Sequence, residues 1–234
     1  MAKMIGLSRA IKLEWLNKTV ELILEGNNEE QIKDELNEYL SYEIKSPTNI
    51  RKTREILMNI WVKTSDDLST IKKLAIDAYK NEKTNKLAIH WGMLMATYPV
   101  FSDVCALIGK LTKIQDTFTT AWLKEKLFEI WGERSTLFHS SDKILQTLKQ
   151  IGVIENEKVG VYRTKKHIIN DVKTTQVLLL SILYLREKAY YEIAELSSIP
   201  QFFPFEYEVS YEWLHDSDLF TLSSFSGKVV LTVD

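Results

Sequence analysis

Apolar residues recur at helical spacing through the first half of the chain. From Ile11 to Leu24, the positions Ile11, Trp15, Leu16, Val20, Ile23 and Leu24 fall near one face. Gly26 ends this helix, and Asn27-Asn28 ahead of Glu29-Glu30 supplies a cap with acids in the following first turn. Ile32, Leu36, Tyr39 and Leu40 carry the apolar face of a second helix, and Ser46-Pro47-Thr48 breaks the chain. A third helix is expected over Ile50 to Val62, with Ile56, Leu57, Ile60 and Trp61 inward. Asp66 and Asp67 open a fourth, which turns Leu68, Ile71, Leu74, Ala75, Ala78 and Tyr79 inward. Leu87 to Tyr98 is apolar almost all round and belongs in the interior. Pro99 interrupts it, and Ser102-Asp103 is the expected cap of a helix running to about Leu111.

The pattern then changes. Residues 117–166 read as a winged helix-turn-helix: two amphipathic helices about a short polar joint, a stopping glycine, and a short basic hairpin. The scaffold helix is expected over Thr119 to Trp131, capped by Thr119 or Thr120, with Leu123, Leu127, Ile130 and Trp131 inward and Gly132 at the turn. The recognition helix is expected from about Thr136 to Gln150, with Ile144, Leu145, Leu148 and Ile151 at core spacing. Gly152 stops it, and Val153-Ile154 pairs with Val159 to Tyr162 across Glu155 to Lys158 as the wing.

The last part is mixed. Asp171 to Ile193 reads as one long helix. Tyr207, Val209 and Tyr211 alternate with polar residues as in a strand, and LFTLSSFSGKVVLTVD reads as a hairpin turning at Ser226-Gly227. The sequence therefore predicts a mainly α fold: a helical bundle with helix-turn-helix-like units, a winged helix in the middle and a small β element at the C-terminus. Three segments are expected: an N-terminal helical domain over 1–86, a winged-helix-like domain over 87–170, and a long helix with an aromatic, acidic tail over 171–234.

Charge sharpens this picture. The net charge of −2 argues against a protein that coats nucleic acid. Residues 110–166, however, carry 11 basic and 7 acidic groups, whereas residues 167–234 carry 4 basic and 10 acidic ones. The positive excess falls on the winged-helix segment, and the acidic tail is suited to a basic partner.

Side chains expected to reach outward from the recognition helix are Arg134, Ser135, Thr136, His139, Ser140, Lys143, Gln146, Thr147 and Lys149. Ser, Thr and Gln can read base edges, while Arg and Lys can meet phosphate or guanine. Tyr162, Arg163, Lys165 and Lys166 add a ring and three cations from the wing, although Glu155 and Glu157 sit at its tip. A second helix-turn-helix pattern upstream places Arg51, Lys52 and Arg54 at the front of its second helix, where they could hold phosphates or simply form a solvated face.

The words LILEGNNEEQIKDEL and KSPTNIRKTREILMNIWVK, helices around a serine/threonine-rich joint and then a basic helix, resemble the BrxA-type accessory protein of bacterial BREX phage-exclusion systems. The resemblance covers the first third of the chain. It implies a small, mostly helical, non-enzymatic protein that binds double-stranded DNA within a defence complex. HWGMLMATYPVFSDVCALIGKL and PQFFPFEYEV depart from that family's pattern.

No catalytic constellation stands out. His90, His139, His167 and His215 are far apart in sequence, and His90 beside Trp91 reads as a core histidine. Cys105, the single cysteine, lies on an apolar stretch and leaves no disulfide framework. Glycine-rich phosphate loops and nucleophile elbows are lacking. Glu212, Asp216 and Asp218 could hold a metal but read more simply as solvated. No catalysis, metal or cofactor is therefore expected. The start lacks a secretory pattern, and Val177 to Leu185 is too short to span a membrane, so a cytoplasmic protein is expected. The function expected is DNA binding. The alternative is a protein-interaction or assembly subunit, in which the winged helix is scaffold and the acidic tail, with Phe202, Phe203, Phe205, Tyr207, Tyr211 and Trp213, docks a partner.

Overall fold

The computed structural model describes residues 6–186 and 188–232. Helix α1 (Leu13–Leu24) leads into α2 (Glu29–Ser41) and α3 (Pro47–Trp61). Asn28 forms a full capping box: its side chain accepts from Gln31 N at 3.0 Å, and its own N–H donates to Gln31 Oε1 at 2.9 Å. Ser46 caps α3, whose first residue is Pro47, a position where no intrahelical N–H is needed. Asp66 and Asp67 open a single 3-10 turn (Asp66–Leu68), and α4 (Ser69–Tyr79) follows it.

Helix α5 (Lys86–Thr97) is buried at every position from Leu87 to Ala96. Asn17 Oδ1 meets both His90 Nε2 and the Tyr79 hydroxyl at 3.0 Å. Its acceptance of the tyrosine proton suits a histidine protonated at Nε2. Helix α6 (Pro99–Leu111) starts at Pro99 itself, so Ser102 and Asp103 are not its cap. The proline suits the first helical position, and Asp103 instead accepts from Trp131 Nε1 at 2.7 Å, tying the next helix to α6.

The winged-helix segment comprises β1 (Thr117–Thr119), α7 (Thr120–Trp131), α8 (Ser135–Gln150), β2 (Ile154–Lys158) and β3 (Val161–Thr164). The strands form one antiparallel sheet in the order β1-β3-β2, with Phe118 opposite Tyr162 and Glu155 opposite Arg163. The wing turns at Val159-Gly160, so Glu155 to Lys158 belong to its first strand rather than to its loop.

The remainder comprises β4 (His167–Ile168), α9 (Val172–Leu185), β5 (Tyr190–Glu192), α10 (Ile193–Leu196), β6 (Phe205–Glu206), α11 (Tyr211–His215), β7 (Thr221–Phe225) and β8 (Lys228–Thr232). The long helix expected to reach Ile193 stops at Leu185, where Arg186 turns left-handed at φ 52°. Tyr190 to Glu192 are instead taken into a sheet, with Tyr191 opposite Leu231. The alternation at Tyr207, Val209 and Tyr211 is not a strand either. Only Phe205–Glu206 pairs, parallel to β4, and Tyr211 opens α11. The Tyr207 hydroxyl donates to Leu196 O at 2.6 Å, so this ring anchors a loop. The hairpin expected at Ser226-Gly227 is present as β7 and β8.

One core runs through all three expected segments. Trp91 of α5 is its hub. Its ring meets Phe101 at 5.1 Å, Phe203 at 5.5 Å and Phe205 at 5.4 Å, and its Nε1 donates to Gln201 O at 3.0 Å. The tail aromatics Phe202, Phe203 and Phe205 are thus buried, while Tyr211 stays exposed. Among the described residues, no single helix is long and apolar enough to cross a membrane.

Candidate nucleic-acid interface

Helix α7 is held on the inside by Leu123 and Leu127, both fully buried. Thr119 caps it by accepting from Trp122 N at 3.1 Å. Gly132 ends it at φ 75°, a backbone angle that a side chain would strain, and three residues later α8 begins. On α8, Leu137, Ile144, Leu145 and Leu148 face the core. The opposite face is open: Ser135, Thr136, His139, Gln146 and Lys149 are exposed, Lys143 is half-buried, and Arg134 precedes them in the turn. Their spacing places Ser135, His139, Asp142, Lys143, Gln146 and Lys149 on one surface.

Two expected outward residues of α8 turn in. Ser140 is 6% exposed and Thr147 is fully buried. Both lie on the flank of α8 covered by the N-terminal segment. Thr147 Oγ1 accepts from Ile11 N at 3.1 Å and donates to Lys143 O at 2.9 Å. Gly6 lies so close to Ser140 that a Cβ there would collide with the serine side chain. Leu7 and Ile11 are buried, which makes residues 6–12 a strap along α8. The strap continues to α3, where Arg9 donates through Nε and Nη2 to Asn49 Oδ1 at 3.0 and 2.8 Å. The sequence carried little sign of this, because a short segment ahead of the first helix has no periodicity to read.

The wing is largely self-neutralised. Arg163 pairs with Glu157 at 2.9 Å and lies 3.7 Å from Asp116. Lys165 pairs with Glu155 at 2.6 Å. Lys166 donates to Phe203 O at 2.8 Å and so faces the tail. Tyr162 stacks on Phe118, with ring centroids 5.5 Å apart, and supports the sheet. On the helices, Lys124 pairs with Asp142 at 2.7 Å and lies over the Phe138 ring at 3.4 Å. Arg134, Lys143, Lys149 and Lys158 make no ion pair among the described residues.

The upstream cluster divides. Arg51 is exposed and Lys52 half-buried at the front of α3, but Arg54 is 7% exposed. Its guanidinium donates to Asn37 Oδ1 at 2.8 Å and Glu55 Oε1 at 2.7 Å, which locks α2 to α3. This pairing also holds the Glu55 carboxyl below its ordinary pKa. Arg54 leaves the set of phosphate candidates.

Other reactive groups are enclosed. Burial, helped by the charge of Lys86, pushes the His90 pKa down to about 3. Burial raises the Cys105 thiol well above its usual value. Among the described residues, no three His, Cys, Asp or Glu side chains lie close enough to share a metal ion. No family model, characterised protein or solved structure matches this chain.

Proposed function

We propose that this protein binds double-stranded DNA without catalysis, with α8 entering the major groove. The observation that carries the reading is the open polar face of α8, set on a scaffold that fixes its opposite face in the core. Ser135, Thr136, His139 and Gln146 would meet base edges, and Arg134, Lys143 and Lys149 the phosphates. Lys158 at the wing tip, and Arg51 and Lys52 on α3, are further cations that would meet phosphate. A place as an accessory component of a phage-defence system is the biological setting that the resemblance of its first third suggests.

The test is fluorescence anisotropy with a generic duplex over a range of salt concentrations. The wild type is expected to bind at low salt. An Arg134→Ala/Lys143→Ala/Lys149→Ala variant should flatten the log–log salt slope by about 2.7 units, since each lost phosphate contact removes roughly 0.9. Absence of wild-type binding at low salt would end this reading.

A further inference from the structure

In the acidic C-terminal segment, a cleft of about 600 Å³ opens between the start of α9 and the loop after β6. Its lining includes the carboxylates of Asp171, Glu206 and Glu208, the half-buried indole of Trp213, and the aliphatic side chains of Ile168 and Val172. Ile168 is 62% exposed and Val172 is 44% exposed, so apolar surface stands uncovered beside the acids. Asp171 caps α9 with Oδ1, which accepts from Thr174 N at 2.7 Å. Its Oδ2 is enclosed and makes no hydrogen bond among the described residues, so Glu206 and Glu208 are the carboxylates open to the cleft. The neighbouring cations are engaged elsewhere: Lys173 pairs with Asp77 at 2.6 Å, and Lys166 donates to Phe203 O.

We propose that this cleft receives an arginine-bearing basic segment of a protein partner. The volume falls within the range of sites that enclose a few side chains. The open carboxylates of Glu206 and Glu208, with the Trp213 indole in the same lining, suit a planar guanidinium, which can hydrogen-bond at its edge and stack on its face. The carboxylates are too dispersed to share a metal ion, as no group of three acids converges among the described residues. Phosphate would be repelled here, so a nucleic acid is the wrong occupant. The exposed aliphatic pair adds affinity for the apolar residues flanking the arginine. The inference is independent of DNA binding by α8, which lies on the cationic segment.

The experiment uses the full chain and a fluorescein-labelled peptide of alternating arginine and isoleucine at 0.15 M salt, roughly physiological. Saturable binding is expected, with loss of binding when citrulline replaces arginine. Glu206→Gln/Glu208→Gln should weaken binding about tenfold, whereas Asp216→Asn/Asp218→Asn, the same charge change outside the cleft, should alter it less than about twofold. All four acids are exposed, so neither variant disturbs the core. Failure of the wild type to bind, or equal weakening by the two double variants, would overturn the proposal. The first outcome leaves no site, and the second leaves only general attraction to an acidic tail.

Discussion

Arg163 on β3 holds the Glu157 carboxylate of β2 through two donors, Nε at 3.1 Å and Nη2 at 2.9 Å. Lys165 and Glu155 repeat the arrangement one step along the sheet. Two of the wing's cations, Arg163 and Lys165, are therefore already matched. Replacing Glu155 and Glu157 with glutamine should release them. The expected result is tighter duplex binding at low salt and a slope steeper by up to about 1.8 units, two extra phosphate contacts' worth. Anisotropy against salt reads it directly. An unchanged slope would mean that the wing does not touch DNA.

Arg51 and Arg54 lie on the same helix yet should behave in opposite ways. Arg54→Ala breaks the contacts to Asn37 and Glu55 at a buried site and should lower unfolding stability by about 1–3 kcal/mol in urea titration. It should leave the DNA salt slope unchanged under conditions where the protein is folded. Arg51→Ala, at an exposed site, should shift stability by less than about 0.5 kcal/mol. If α3 contacts phosphate, it should flatten the slope by about one unit.

Thr147 is an acceptor for the strap. Thr147→Val keeps the shape but strands the buried Ile11 N–H, a loss of about 1–3 kcal/mol. Hydrogen exchange at Ile11 should quicken in step. Normal protection of that amide in the variant would show that the strap is held by its apolar side chains alone.

His90 makes stability depend on acid. The unfolded chain takes up a proton at this ring near pH 6.5, but the folded protein only near pH 3, because burial disfavours the imidazolium. The group therefore costs nothing above pH 6.5, and stability falls as pH drops from 6.5 toward 3. At pH 5 the loss is about 2 kcal/mol. Urea unfolding at pH 7 and pH 5 should show His90→Gln losing about that much less than the wild type on acidification.

The features legible in the sequence were those set by local chemistry. Asn28 with Gln31, Ser46 with Pro47, and Gly132 each mark a boundary through bonds made within a few residues. Ile144, Leu145 and Leu148 on α8, with Ile151 just after it, likewise read correctly from spacing. What could not be read depends on distant partners. Arg54, Ser140 and Thr147 look like surface polar residues until α2 and the strap are placed against them. Arg163 and Lys165 look free until β2 and β3 are put in register. Tyr190 to Glu192 continue a helical pattern, but β8 offers them a sheet edge. The open face of α8 was legible as a pattern; the neutrality of its wing was not.

The strap also has a consequence for the order in which the chain can assemble. Residues 6–12 leave the ribosome well before α8, and Ile11 finds its acceptor 136 positions later, on Thr147. At roughly 5–20 residues per second, synthesis alone keeps these residues waiting for several seconds or more. During that interval Leu7 and Ile11 have no α8 to cover them, although α1 to α3 can already pack. Closing so long a loop is slow compared with forming any single helix. Residues 6–12 thus stay uncovered until α8 emerges, and their docking joins the N-terminal helices to the winged-helix segment.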